Sequence, residues 1–409
     1  MDEAIGALLS PTGSHLLEVA AAAYAAGNEL PAGERLRAAG HPPELIAAAF
    51  SQAELRVRAT GKFRRAAEMF FTRDGLEQAS SEHAARHRAA RFAGRHRLAD
   101  LCTGIGGDLI ALAPGRSVLA VDRDPVHLRI ALHNASVYLG ELPRPVGLLA
   151  DVRDVDLDGI DGVFVDPARR GGGRRLPTGA SEPPLGWCFG LAGAVPAVAV
   201  KAAPGLARTA VPPGWETAFV ADRRELRESV LYSPELATAR RRATVLSGWP
   251  DEPRADELTG PGDDAVGAPA PRIGPPAAFL YDPSPAVTRA GLVGDLGRRL
   301  DAWQIDPLIA FLTSDVLRPT PFARPLRIGY SGPFEVRELA RRLAAEGVTA
   351  LDLRRRGLAG DVDALRRRLL PARGRRAVPV GAPGRTAVVV MTRLLDRPWA
   401  FVCFEPDAA

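Results

Sequence analysis

The run Asp100-Leu101-Cys102-Thr103-Gly104-Ile105-Gly106-Gly107-Asp108 joins a β-rich stretch to a helix-like one through a glycine turn. Glycines there let the backbone pass close to a ligand at the carboxyl edge of a parallel sheet. Dinucleotide sites use a similar turn, so the flanking residues must discriminate. Asp100 and Asp108 would repel a pyrophosphate, whereas a zwitterionic amino-acid tail and a sulfonium cation tolerate or favour carboxylates. The next β-rich run, SVLAVD, ends at Asp122, about the twenty-residue spacing at which an acid reaches ribose hydroxyls. One run further, VGLLAD ends at Asp151, placed to accept from an adenine amino group. For any one acid a helix cap or solvated loop end is the ordinary alternative. Three at successive strand ends make a shared nucleoside site the expectation, with Asp100, Thr103, Gly104, Gly106, Asp122 and Asp151 as its candidate residues.

These groups need a scaffold of parallel strands. From Leu98 short β-rich runs alternate with helix-like stretches: LADLCT, SVLAVD, VGLLAD, GVFVD and VPAVAVK, then WETAFVAD, SVLY and ATVL. The alternation predicts βαβ units and a mostly parallel sheet, and the last runs, which lack helical spacers, suit antiparallel additions. Residues 1–90 are alanine-rich with helical periodicity and form an N-terminal helical module. The α/β domain is expected over 91–248. Residues 249–276, dense in Pro, Gly, Asp and Glu, read as a linker, and 277–409 as an α+β domain. The predicted helices of that domain include AVTRAGLVGDLGRRLDAW, EVRELARRLAAEG and DVDALRRRLLPAR; its strands include PLRIGY, TALDLRRRG, TAVVVMTRL and AFVCF.

A chain of 409 residues exceeds one hydrophobic core, and its apolar and charged fractions are those of a globular protein. No apolar run is long and uncharged enough to cross a bilayer, and the acidic start MDEAIGALL lacks a cationic leader, so a cytoplasmic location is expected. Cys102, Cys188 and Cys403 are scattered, and no His/Cys/acid cluster has metal-ligand spacing, so the expected chemistry is metal-free. The net charge of +5 permits a polyanionic partner. Lysine occurs only at Lys62 and Lys201, and asparagine only at Asn28 and Asn134, in a chain where arginine fills nearly every basic position. A surviving lysine suggests a place where a fork-shaped cation will not serve.

With these residues in hand, the chain resembles the class I S-adenosylmethionine-dependent methyltransferases: DLCTGIGGD, VDRD, LLAD and VFVDPAR match their motifs in order. The segment KFRRAAEMFFTRDGLEQASSEHAARHRAARFAG is similar to the lead-in of the trimethylguanosine-synthase-like group. AFLYDPSPAV, LDLRRRG and the final hydrophobic strands resemble the THUMP-like domain attached to bacterial methyltransferases. The resemblance implies a Rossmann-like α/β core, S-adenosylmethionine as cofactor, and the exocyclic amine of a guanine base in tRNA or rRNA as acceptor, with no DNA partner.

In related enzymes a D/N-P-P-aromatic tetrad ends the fourth strand. Its acid and a proline carbonyl hold the amine, and its ring stacks on the base. Here the tetrad is Asp166-Pro167-Ala168-Arg169, in which Arg169 stands where the aromatic would be; a guanidinium can also stack on a base. The resemblance thus assigns Asp166, Pro167 and Arg169 to the catalytic end, with capping of the following glycine-rich loop as the alternative for Asp166. Lys62, Phe71, Thr72, Asn134 and Lys201 are candidates for the acceptor side, with core packing or a loop end as the competing reading. Basic runs at Arg169–Arg175, Arg240–Arg242, Arg354–Arg356, Arg366–Arg368 and Arg373–Arg376 suit an RNA tract or solvated faces. The rival functions are a small-molecule methyltransferase with the extra domain as lid, a nucleotide-dependent oxidoreductase, and an idle RNA-binding protein that kept the donor fold.

Overall fold

The computed structural model describes residues 2–168, 170–171, 174–175, 180–222, 224–358, 361–370 and 385–406. The chain forms two compact units: Met1–Val220 with Glu228–Thr238 and Leu246–Ala255, and Ala221–Arg227 with Ala239–Val245 and Asp256–Ala409.

The first unit is built on strands β1 (Arg97–Leu101), β2 (Ser117–Asp122), β3 (Val146–Leu149), β4 (Gly162–Val165) and β5 (Ala197–Ala202). Strands β6 (Glu216–Asp222), β7 (Glu225–Tyr232), β8 (Arg241–Ser247) and β9 (Arg254–Gly260), whose residues divide between the two units, follow, and the sheet order is β9-β8-β6-β7-β5-β4-β1-β2-β3. β1 to β5 pair in parallel, whereas β7 runs antiparallel to β5. Successive side chains alternate between two buried faces, which is why the strands read as continuous apolar runs. Leu98, Val118, Ala120, Phe164, Ala199, Val230 and Tyr232 share one face; Ala99, Leu101, Val121, Val163, Val165, Val198, Val200 and Leu231 share the other.

Helices α1 (Asp2–Leu8), α2 (Pro11–Ala26), α3 (Glu29–Ala38) and α4 (Pro43–Ala59) precede α5 (Arg73–Gln78), α6 (Glu82–Ala89), α7 (Leu109–Leu112), α8 (Pro125–Leu139) and α9 (Leu185–Gly190). The N-terminal helices belong to the first compact unit: Leu8, Leu16, Leu55 and Phe63 pack in one core with Ile105, Ile110 and Ile130 of the glycine turn, α7 and α8. The connecting chain is clamped from both sides. Gln52 of α4 donates to the Phe71 carbonyl at 2.7 Å and accepts from its N–H at 3.0 Å. Asn134 of α8 accepts from the Phe70 N–H at 2.8 Å and donates to the carbonyls of Phe70 at 3.0 Å and Ile105 at 2.9 Å.

The stretch expected as a linker instead supplies β9. Its polar alternation suits an outer strand of the sheet, in which Leu258 alone is fully buried. In the second unit β10 (Phe279–Pro283), β11 (Trp303–Asp306), β12 (Ile309–Ser314), β13 (Ala323–Pro333), β14 (Val348–Arg355), β15 (Arg385–Leu394) and β16 (Arg397–Phe404) form a sheet of order β11-β12-β10-β13-β16-β15-β14. All pairs are antiparallel except β14 with β15. Helices α12 (Val336–Ala345) and α13 (Val362–Leu369) bury Leu339, Leu343 and Leu369 in one core with Val389 and Val402. The single helix expected over 286–303 is two, α10 (Pro285–Ala290) and α11 (Val293–Leu300). Gly291 ends the first in the left-handed region, and Trp303 opens β11.

Asn134→Ala would strand the buried Phe70 and Ile105 backbone groups, each worth about 1–3 kcal/mol. Urea unfolding is expected to show a loss of about 3 kcal/mol; a loss under about 0.5 kcal/mol would contradict the clamp.

Candidate functional site

The carboxyl ends of β1, β2 and β4 open into a cavity of about 450 Å³, within the ~300–1,000 Å³ typical of small-molecule sites. Asp100, Thr103, Gly104, Asp122, Asp151, Asp166 and Pro167 lie on its wall. Opposite them stand Asp74, Gly75 and Gln78 of α5, and His127 of α8. A second, narrower cavity shares Asp166 and Pro167 and is lined further by Ser181, Lys201 and Leu206.

The glycine turn is shaped by close packing on one side and openness on the other. Gly106 has φ +82, and a Cβ there would stand 2.9 Å from the Ala131 Cα, so α8 presses directly on the turn. A Cβ on Gly104 would meet nothing within 4 Å, which leaves room for a ligand against the backbone. The Gly104 N–H donates to Asp122 Oδ2 at 2.8 Å and the Asp124 N–H to Oδ1 at 2.9 Å, so the Asp122 carboxylate is held at the rim of the turn. Asp151 is paired with Arg153, whose guanidinium and backbone N–H hold its carboxyl down at about 2.

Period-2 alternation sends Asp100, Asp166, Lys201 and Glu228 to the same side as Phe164, Ala199 and Val230. There they meet Ser80 and Arg88. Lys201 Nζ donates to Asp166 Oδ2 at 2.6 Å and to Ser80 Oγ at 3.0 Å. Ser80 Oγ donates to Asp108 Oδ2 at 2.9 Å, Arg88 Nε donates to Asp108 Oδ1 at 2.9 Å, and Arg88 also pairs with Glu228. Burial alone would neutralise these groups, but the partners outweigh it. Asp108 is held below the carboxylate range by Arg88 and Lys201, and Lys201 is raised by Asp166, Glu228 and Asp108. Among the described residues the Thr103 hydroxyl donates to Asp100 Oδ2 at 2.6 Å. Burial and then the Asp108, Asp166 and Asp122 charges push its carboxyl up to about 8.

Asp100 and Asp108 therefore do not stand as two free carboxylates against a pyrophosphate: Asp108 is paired with Arg88, and burial with its acidic neighbours pushes the Asp100 carboxyl up to about 8. Asp122 and Asp124, which accept from backbone N–H groups, present their carboxylates on the cavity wall, while Asp166 is paired with Lys201.

Several acceptor-side candidates turn out to position other groups. Lys62 Nζ collects the carbonyls of Leu76 at 2.7 Å and Ala79 at 2.9 Å, so it holds the C-terminal end of α5. Thr72 Oγ1 accepts from the Gly75 N–H at 3.0 Å and caps the N-terminal end of the same helix. Phe71 is core, packed on Phe63. Asn134 is fully buried on the Phe70 and Ile105 backbone, and Gly106 supports the cavity without lining it. Arg169 lies outside the described residues, as do Arg373–Arg376. Of the basic runs, Arg241 and Arg242 are buried on Asp264 and Glu257 and present no solvated face.

Sequence reasoning passed over Ser80, Arg88 and Glu228. The signal was there: Arg88 falls in step with Ala84, Ala85 and Phe92, and Glu228 in step with Val230 and Tyr232. A charge in phase with an apolar stripe announces a buried pair.

The fold, a parallel sheet with a cavity at its carboxyl edge, is that of the class I methyltransferases. An uncharacterized S-adenosylmethionine-dependent methyltransferase of Mycobacterium tuberculosis, found in strains CDC 1551 and H37Rv, is 34% identical over 373 residues, covering 85% of this chain and 94% of that one. The chain therefore belongs to the S-adenosylmethionine-dependent methyltransferases, with S-adenosylmethionine as cofactor. A family model described as THUMP domain-like matches residues 323–405, and one described as a domain of unknown function, DUF8688, matches 2–59. A crystal structure from Porphyromonas gingivalis W83, described as a methyltransferase, shares the fold at a TM-score of 0.71 and 20% identity, covering 90% of this chain and 92% of that one. Among the described residues, no helix is long and apolar enough to cross a membrane.

Because the Asp100 carboxyl is raised when folded, the native state keeps a proton that the unfolded chain gives up in the ordinary carboxylate range. Stability should therefore fall as pH rises from that range towards about 8. In urea titrations Asp100→Asn should escape this loss, the difference from wild type changing by up to about 1.4 kcal/mol per pH unit. Parallel pH dependences would show that Asp100 ionises normally.

Proposed function

We propose that the protein transfers the S-adenosylmethionine methyl group to the exocyclic amine of a guanine base in RNA. The observation that carries this reading is Asp166: a carboxylate at the end of β4, fixed by Lys201, on the wall common to the donor-sized cavity and the narrower one beside it. In this arrangement Asp122 accepts from the ribose hydroxyls, Asp151 takes the adenine side, and the glycine turn lies along the amino-acid tail.

Methyl transfer from a sulfonium needs alignment more than covalent help. The amine lone pair attacks the methyl carbon, the carbon–sulfur bond breaks with its electron pair left on sulfur, and the methylated nitrogen sheds a proton to Asp166. Asp166 and the Pro167 carbonyl orient the amine, and Arg169 supplies the cation that stacks on the base or meets a phosphate. A polyanionic acceptor fits the THUMP domain-like match and the exposed arginines of α12 and α13: Arg337, Arg341, Arg342, Arg367 and Arg368.

Calorimetric titration of Asp122→Ala with S-adenosylmethionine should show at least about tenfold weaker binding with the fold retained; wild-type affinity would remove Asp122 from the ribose. Asp166→Ala should bind the donor normally yet lose methyl transfer by about 100-fold or more. The acceptor is tested by mass spectrometry of tRNA and rRNA nucleosides from a deletion strain. Loss of one N2-methylated guanosine is expected, and an unchanged nucleoside profile would point to a small-molecule acceptor.

A further inference from the structure

Lys201 is one of two lysines in the chain, and it is the buried one, 7% exposed on β5. Its ammonium has two anchors from different elements, Asp166 Oδ2 at 2.6 Å and Ser80 Oγ at 3.0 Å. Ser80 is itself fixed, accepting from Arg88 Nη2 at 2.8 Å and donating to Asp108 at 2.9 Å. The Lys201 side chain therefore stands on a rigid base and reaches out to a carboxylate that is less buried than itself.

We propose that Lys201 is a positioning residue for methyl transfer: it holds one oxygen of the Asp166 carboxylate so that the other accepts from the amine N–H and turns the nitrogen lone pair towards the donor methyl, and it acts through Asp166 without touching substrate. The inference rests on the reading of Asp166 given above. The choice of lysine follows from the geometry. A compact ammonium with three donors satisfies a carboxylate and a hydroxyl converging on one point, where a planar guanidinium would spread its donors and displace one of them. Lys62 shows the same logic, with backbone carbonyls of Leu76, Glu77 and Ala79 converging on its Nζ.

The test compares the full-length wild type with Lys201→Met and with Lys201→Arg, which keeps the buried charge should the methionine variant not fold. Crystals with S-adenosylhomocysteine should show the Asp166 carboxylate displaced by about 1 Å or more in either variant, with the ligand unmoved. Transfer of tritiated methyl from S-adenosylmethionine to tRNA and rRNA of a deletion strain should fall about 100-fold in kcat, with the donor KM unchanged and no rescue by arginine. An Asp166 that keeps its place, or a kcat that holds while the donor KM rises, overturns the proposal. If wild type itself labels neither RNA, the RNA reading fails, and the position of Asp166 in the crystals still decides the role of Lys201.

Discussion

The first unit is organised around a buried row of alternating charges: Glu228, Arg88, Asp108, then through Ser80 to Lys201 and Asp166. Burying any one of these ions alone would cost several kcal/mol, so each is tolerable only because the next stands beside it. The row has three carboxylates and two cations. Its end at the cavity is the Asp166 carboxylate paired with Lys201. The members come from strands β5 and β7, the end of β4, the start of α7, helix α6 and the loop before it. No one segment can shift without breaking the sequence of pairs, so the row ties the position of Asp166 to the packing of α6 on the sheet.

The other wall of the cavity depends on a different device. Helix α5 has six residues and would not persist by propensity alone. It is held at its start by the Thr72 hydroxyl and at its end by Lys62. Gly75 lies so close to the glycine turn that a Cβ there would stand 2.4 Å from Ile105 Cγ2. The chain leading into α5 is pinned by Gln52 and Asn134. The N-terminal helices thus serve the cavity indirectly, by building the surface against which α5 is set.

Much of this was legible in the sequence. The strand ends carrying Asp100, Asp122 and Asp151 around a glycine bend meet on one cavity wall, and the apolar runs from LADLCT to ATVL all became strands. What was not legible depends on distance in the chain. Lys62, Thr72 and Asn134 have the composition of site residues, and spacing alone could not show that their polar atoms are taken by backbone groups of the 70–79 and 105 segments. Asp108 looked like a free carboxylate because its partner Arg88 lies twenty residues earlier on another helix. The β9 strand hid in a polar stretch because an outer strand needs little apolar surface.

On the reading proposed above, S-adenosylmethionine occupies the crevice at the carboxyl ends of β1, β2 and β4. A crystal structure of the full-length protein with S-adenosylhomocysteine tests it most directly. The ribose hydroxyls are expected on Asp122, the amino-acid tail along Gly104 and the thioether sulfur facing Asp166. Density for the ligand elsewhere, or a crevice left empty at saturating ligand, would contradict it.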